Sequence, residues 1–230
     1  MNFFRYLAEV FYPSTCIHCS RATSGQDDLF CTECLTKTVF SGFVSTVKNE
    51  MTDRLVSISG LINGYAPLIF TKESPISGLF YRIKYGNRPD LAEKSGTFLG
   101  HSYKTISDRA TDIDVITFVP IHPKKEAKRG YNQSQLIAQS VGKELDIPVK
   151  PFLSRISNID TQTHYGRQDR LNNQENTIKC DPAIRSFHHV MIIDDILTTG
   201  ATLETCTDAI RETAPGIRVS VATLAITDNW

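Results

Sequence analysis

Two stretches of the chain hold residue types whose spacing could do chemistry. The first is Asp194-Asp195-Ile196-Leu197-Thr198-Thr199-Gly200-Ala201-Thr202, directly after the apolar run Val190-Met191-Ile192-Ile193. Read physically, a buried strand ends there in two carboxylates. Adjacent acids repel, and ionised carboxylates only accept hydrogen bonds, so the pair suits the hydroxyls of a polyol or a facing cation. The small, hydroxyl-rich residues that follow open a helix, where backbone amides and the helix N-terminus make an anion cradle. Acids for sugar hydroxyls beside amides for a phosphate describe a ribose 5-phosphate pocket. An acid-capped strand end or a Thr-rich helix cap would explain either half alone, but packing explains the two together poorly.

The second stretch pairs Cys16-Ile17-His18-Cys19 with Cys31-Thr32-Glu33-Cys34, a C-x2-C, eleven residues, C-x2-C spacing. Each pair is a knuckle that aims two thiolates at one point, and four thiolates form the closed tetrahedral shell of structural zinc. An iron–sulfur cluster uses other spacings, and a redox dithiol needs one pair rather than two matched ones. The expected zinc ligands are therefore Cys16, Cys19, Cys31 and Cys34, with His18 left on the surface. Such a closed shell has no position for water, so its expected roles are folding and contact with a partner or nucleic acid. Cys180 and Cys206 read as unpaired packing residues.

Positioning these groups takes a framework. Phe3, Leu7, Val10 and Phe11 recur at helical spacing, which predicts a short helix over residues 2 to 11. Residues 14 to 37 are too loop-rich to make a core without a staple. From Ser57 to Phe70, apolar residues mix with Gly60, Gly64 and Pro67, predicting short strands or a hairpin. Ser74-Pro75 opens a helix with Ile76, Leu79, Phe80 and Ile83 on one face and an end at Gly86. A second helix runs from Pro89 toward Ile106, against the weakening effect of Gly96 and Gly100. Val115 to Val119 is a strand closed by Pro120, followed by a long polar loop and a helix over residues 132 to 145. After the acidic pair comes a helix with Leu203, Cys206 and Ile210 inward, and then a last strand from Val219 to Ile226. Alternating strands and helices predict an α/β fold with a mainly parallel sheet flanked by helices and a ligand at the strands' carboxyl ends. The expected division is an N-terminal helix and zinc module in residues 1–45 and the main domain in residues 50–230.

The stretch Val190 to Thr202 closely resembles the signature of type I phosphoribosyltransferases: two acids, then Thr-Thr-Gly-x-Thr, after an apolar strand. That resemblance implies that Asp194 and Asp195 bind the ribose hydroxyls of phosphoribosyl pyrophosphate. It assigns Thr198, Thr199, Gly200, Ala201 and Thr202 to the 5-phosphate. Further segments are Val119-Pro120-Ile121-His122, Arg129-Gly130-Tyr131-Asn132-Gln133-Ser134, and Gln162-Thr163 ahead of Arg167, Arg170 and Asn173. In this order, behind a four-cysteine module, they look like the ComF-type competence proteins, also described as GntX-like, over nearly the whole chain. The resemblance implies that the loop with Pro120 and Ile121 contacts pyrophosphate while a flexible hood closes over the reacting carbon. Arg129 is then the leading cation for the pyrophosphate, with Lys84, in Lys84-Tyr85-Gly86, as a second. The basic run His122 to Gly130 reads either as a solvated loop or as a mobile flap. Ile121 and Tyr131 are mild departures from the family pattern; Gln174 and Ile178 depart more and bear on local packing.

Lys plus Arg equal Asp plus Glu at 25 each, so any polyanion site must be local. The longest apolar runs, Ile116 to Ile121 and Val219 to Ile226, are strand-length, which speaks against membrane insertion. Met1 to Phe11 has one Arg and no apolar stretch before a small-residue cleavage site, a poor secretory signal. The cysteine usage fits a reducing compartment, so the expected location is the cytoplasm.

Function follows in two classes. As an enzyme, the chain transfers a phosphoribosyl group to an unidentified acceptor with magnesium on the diphosphate, through positioning and electrostatics. His122, His164 and Tyr165 could face the acceptor, although surface or packing roles are plainer for each. As the alternative, the family's association with DNA uptake in natural transformation implies a non-catalytic single-stranded-DNA-binding or assembly factor among competence proteins. Lys124 to Arg129 and Tyr131 would then meet the strand. A bare interaction scaffold is opposed by the intact acids and Thr-Thr-Gly-x-Thr loop.

Overall fold

The computed structural model describes residues 15–25, 28–106, 112–155 and 178–228. The helix expected over residues 2 to 11 lies outside them, as do Gln162, Thr163, His164, Tyr165, Arg167, Arg170, Asn173 and Gln174. Elements run α1 (Thr32–Thr36), α2 (Glu50–Arg54), β1 (Leu61–Tyr65), β2 (Leu68–Phe70), α3 (Pro75–Tyr85), α4 (Pro89–Ile106), β3 (Val115–Phe118), α5 (Pro123–Arg129) and α6 (Gln133–Leu145). They continue through β4 (Leu153–Arg155), β5 (Ile178–Cys180), a 3-10 turn at Pro182–Ser186, β6 (His189–Leu197), α7 (Ala201–Thr213) and β7 (Arg218–Thr227).

The main sheet has the order β1-β7-β6-β3 and every pairing in it is parallel. Strands β1 and β2 are not a hairpin: both lie parallel to β7, end to end along the same edge, as the pairs Leu61↔Val219 and Leu68↔Ala225 show. Pro67 breaks the ladder between them, having no amide proton to donate. Beyond β3 the chain adds one more rung, a parallel bridge from Ile116 to Val149.

Both faces of the sheet are covered, which is why β3 is buried throughout, Thr117 included, and Val190 to Ile193 of β6 reads as an apolar run. On one face, Ile137, Ala138 and Val141 of α6 and Leu99 and Tyr103 of α4 pack with Ile116, Met191 and Ile193. On the other, Leu203, Cys206 and Ile210 of α7 pack with Val190, Ile192, Val219 and Val221. From β3 the chain crosses on the α6 face and steps outward to Val149; from β6 it crosses on the α7 face and steps the opposite way to β7. The carboxyl ends of β3 and β6 thus flank the point where the connections diverge, where an open α/β sheet leaves a crevice.

Three expectations need correction. The polar loop after Pro120 contains α5, a helix whose N-cap His122 accepts the Lys124 amide through Nδ1 at 3.2 Å, with Pro123 starting it and left-handed Gly130 (φ 86°) ending it. Strand β6 does not stop at Ile193 but runs through Asp194 and Asp195 to Leu197, because β7 keeps pairing with it: Asp194↔Thr223 and Leu197↔Ile226. The antiparallel β4–β5 pair was not expected at all, since strands of three residues carry no readable period. Helix α4, by contrast, runs over its expected span. Its glycines are the contact surface: a Cβ on Gly96 would stand 2.4 Å from the Ile137 carbonyl oxygen of α6, and one on Gly100 2.7 Å from Glu144 Cβ. No described helix is long and apolar enough to cross a membrane.

Candidate functional site

Strand β6 outlasts β3. Their last paired residues are Phe118 and Ile193, closed by the Val119 amide donating to the Ile193 carbonyl at 3.0 Å. Asp194 and Asp195 follow immediately, at the mouth of the crevice. Ser134 Oγ donates to Asp194 Oδ1 at 2.8 Å, and the Asp195 amide donates to the same oxygen at 2.8 Å. Asp195, buried at 4% exposure, faces the cation that two adjacent acids require: Lys84 Nζ lies 2.7 Å from its Oδ2. Gln133 Nε2 approaches that oxygen at 3.4 Å. Burial, with the Asp195 charge beside it, pushes the Asp194 carboxyl up to about 7, although the Ser134 hydroxyl, the Asp195 amide and Lys84 favour its ionised form.

The start of α6 builds the wall opposite the acids. Asn132 caps it, accepting the Ser134 and Gln135 amides at 3.0 and 3.4 Å, while its Nδ2 donates to the Val119 carbonyl at 3.0 Å. One side chain thus fixes the helix start to the end of β3. Arg129 donates to Gln133 Oε1, and the Tyr131 hydroxyl donates to the Ile83 carbonyl, which anchors the last turn of α3 beside Lys84. These elements enclose a cavity of ≈ 280 Å³.

Of the residues expected in the site, Lys84, Pro120, Ile121, Arg129, Asp194, Asp195 and Thr202 all line this cavity. Gly200 is buried behind it in the left-handed conformation (φ 87°), where a Cβ would meet Leu55 Cδ2 at 2.7 Å, and it serves as N-cap of α7. Thr198, Thr199 and Ala201 are exposed on that turn and do not line the cavity. Sequence reasoning gave no role to Gln133, Ser134 or Arg155, which also line it. Asn132 as a helix cap was a usable signal for the first two. Arg155 enters from β4 and had none.

The four cysteines converge at the other end of the described chain. Their sulfurs lie within 4.8 Å of one another, with Cys16, Cys31 and Cys34 buried and Cys19 half-buried. Cys19 Sγ and Cys31 Sγ are 3.5 Å apart, close to the roughly 3.8 Å expected between thiolates about 2.3 Å from a tetrahedral zinc. Burial raises the Cys16 thiol, but the backbone amides of Cys19, Cys31 and His18 outweigh it and bring Cys16 down to about 6. Burial and the neighbouring thiols push Cys34 up. The cluster could hold a metal ion, and exposed His18 is not part of it. Leu29 and Phe30 of this module share a core with Leu68 and Tyr103. Cys206 is fully buried on the inner face of α7, as a packing residue should be.

Comparison with known proteins agrees with this geometry. Residues 132–229 match the phosphoribosyl transferase domain family. The chain is 30% identical to Competence protein F of Haemophilus influenzae over 146 residues, which are 60% of this chain and 62% of that protein. It is 29% identical to DNA utilization protein YhgH of Salmonella typhi over 154 residues, 65% of this chain and 62% of that one. Against YhgH of Escherichia coli K12 the match is 26% over 196 residues, 82% and 80% of the two chains. The matches thus span about three fifths of the first of these relatives. Among solved structures, a glutamine phosphoribosylpyrophosphate amidotransferase from B. subtilis covers 61% of this chain and 30% of its own, at 19% identity and a TM-score of 0.41. With its parallel sheet, its acids at the β3/β6 crevice and its N-terminal cysteine cluster, the chain is similar to the competence and DNA utilization proteins in both sequence and organisation, and these findings support a ComF-type, phosphoribosyltransferase-fold family.

Proposed function

We propose that the β3/β6 cavity binds phosphoribosyl pyrophosphate with magnesium and that the chain transfers the phosphoribosyl group to an acceptor. The observation that carries this reading is the convergence of Asp194, Asp195, Lys84, Arg129 and Thr202 on one cavity at the mouth of the crevice. In it the two carboxylates accept from the ribose hydroxyls, and the turn Thr198 to Thr202, with the opening amides of α7, takes the 5-phosphate. Pro120 and Ile121 bound the diphosphate side, where Arg129 and Lys84 offset the charge that develops as the anomeric carbon–oxygen bond breaks. Diphosphate leaves with the electron pair, and the acceptor forms the new bond. No side-chain nucleophile is needed. The acid pair carries more negative charge than Lys84 alone balances, which suits a hydrated cation nearby; bound magnesium would neutralise the leaving group while keeping most of its waters.

The cysteine cluster fits the same reading as a structural zinc shell. Residues 1–45 then form an accessory module, residues 50–230 the phosphoribosyltransferase-like domain, and the cytoplasm the place of work. The names of the relatives, a competence protein and a DNA utilization protein, favour a link to DNA uptake. A purely strand-binding role loses some support, because Tyr131 is half-buried against the core with its hydroxyl on the Ile83 carbonyl rather than an exposed aromatic.

Calorimetric titration with phosphoribosyl pyrophosphate and magnesium tests the reading. Wild type should bind, and Asp194→Asn/Asp195→Asn should lose binding while staying folded. Equal affinity in the two proteins would remove the acids from the site, and no binding by wild type would remove the function.

A further inference from the structure

Next to the acid cavity lies a second concavity of ≈ 650 Å³, between the last turn of α3 and helix α5. Lys84, Lys125, Lys128 and Arg129 line it with Tyr85 and Asn87, and no carboxylate does among the described residues. Nor does any described carboxylate form an ion pair with Lys125, Lys128 or Arg129. Lys84 is paired with Asp195, but in a chain of zero net charge the other three form a local excess of positive charge, the condition for drawing in an anion.

Charge alone would suit free phosphate. The tyrosines add something else. Tyr85 is 71% exposed and Tyr81, one turn earlier, 66%, with ring centroids 5.4 Å apart. Large exposed aromatic faces beside cations favour a planar ring carried by an anionic ligand. Moreover, Lys84, Tyr85, Lys125 and Arg129 line both concavities, so a ligand in the outer one abuts a ligand in the inner one.

We propose that the outer concavity is a nucleotide site, with the phosphate on Lys125 and Lys128 and the base against Tyr85. It rests on the phosphoribosyl reading above and names the class of ligand that shares its pocket. A diphosphate leaving group does not account for Lys128, which lies beyond the acid cavity, or for the exposed Tyr85 ring beside it. The same chemistry could come from a free mononucleotide or from the terminal nucleotide of a single strand.

Titrations of adenosine monophosphate and of a short oligodeoxyadenylate against the full chain separate the cases. Lys128→Glu and Tyr85→Ala should each weaken binding about tenfold, the size of one lost charged hydrogen bond or stacking contact. Lys124→Glu, exposed on the same helix but outside the concavity, should change it little. Comparable affinity for both probes identifies a free nucleotide; a much tighter and steeply salt-dependent oligonucleotide identifies a strand end. Phosphoribosyl pyrophosphate affinity should survive Lys128→Glu. Its loss in parallel would assign the concavity to the diphosphate and overturn the nucleotide site, as would no binding of either probe by wild type or equal effects at Lys124 and Lys128. Lys128-dependent nucleotide binding without any phosphoribosyl pyrophosphate binding would leave the nucleotide site standing and remove the reading beneath it.

Discussion

Lys84 Nζ stands 2.7 Å from Asp195 Oδ2, tying the end of α3 to the carboxyl edge of the sheet. Lys84 keeps 26% of its side chain exposed and Asp195 only 5%, so the carboxylate is the partner that gave up its water. Removing the cation should therefore cost more than breaking a surface pair. Lys84→Met is expected to lower the unfolding free energy by about 1–3 kcal/mol, and Lys84→Met/Asp195→Asn should recover most of it. Denaturant unfolding of all four proteins in the cycle measures the coupling; additivity within about 0.5 kcal/mol would mean the pair contributes nothing.

Asp194 makes stability depend on pH. Its folded carboxyl is raised from 3.8 to about 7, so the stability it permits is complete below the unfolded value and is lost as pH rises through about 7. Asp194→Asn escapes this loss. Its advantage over wild type should grow by about 1–3 kcal/mol between pH 5 and pH 8 and level off above that. Unfolding at several pH values checks this, and a difference independent of pH would show that Asp194 does not titrate in that window.

Two helix glycines should respond oppositely to alanine. At Gly96 the new Cβ meets the Ile137 carbonyl oxygen at 2.4 Å, whereas at Gly78 it meets nothing within 4 Å. Gly96→Ala is expected to destabilise by about 1–3 kcal/mol through overpacking. Gly78→Ala should stabilise by roughly 0.5–1 kcal/mol through helix propensity. Thermal melts of the two variants decide, and a stabilised Gly96→Ala would mean that α4 and α6 can move apart cheaply.

Metal removal should be local in effect. Purified chain is expected to carry one zinc, lost in Cys19→Ser. Chelation should open residues 15–38 to protease, with some loss of thermal stability because Leu29 and Phe30 help close the core over Leu68. Binding in the acid cavity should persist. Loss of that binding on chelation would show that the module and the sheet unfold as one unit.

Much of this was legible because local signals agreed with the global fold. Ser74-Pro75 and Gly86 bracket α3 as they should, and the apolar period of Val190 to Ile193 marks a strand buried on both faces. Where the reading erred, tertiary structure decided. Nothing local says that β7 continues beside Asp194, so the strand's extension past Ile193 depends on a partner distant in sequence. Helix α5 hides in a lysine-rich run because its stability comes from His122, Pro123 and Gly130 at the ends rather than from an apolar face. The acids' partners Lys84, Gln133 and Ser134 lie 60 or more residues away in sequence, so only the folded sheet brings them together.

The extension of β6 has a kinetic consequence. An acid on a loop can be displaced by a local fluctuation, but Asp194 and Asp195 belong to a strand whose neighbour β7 holds it out to the Leu197↔Ile226 pair. Freeing them means parting β6 from β7, so opening there should be rarer than at an untethered loop, although β3 no longer covers the other edge of the strand. The exposed turn at Thr198 and Thr199 has no such tether. The acid end of the cavity is therefore held as stiffly as the sheet that carries it, while the turn just past it is free to shift without disturbing the carboxylates.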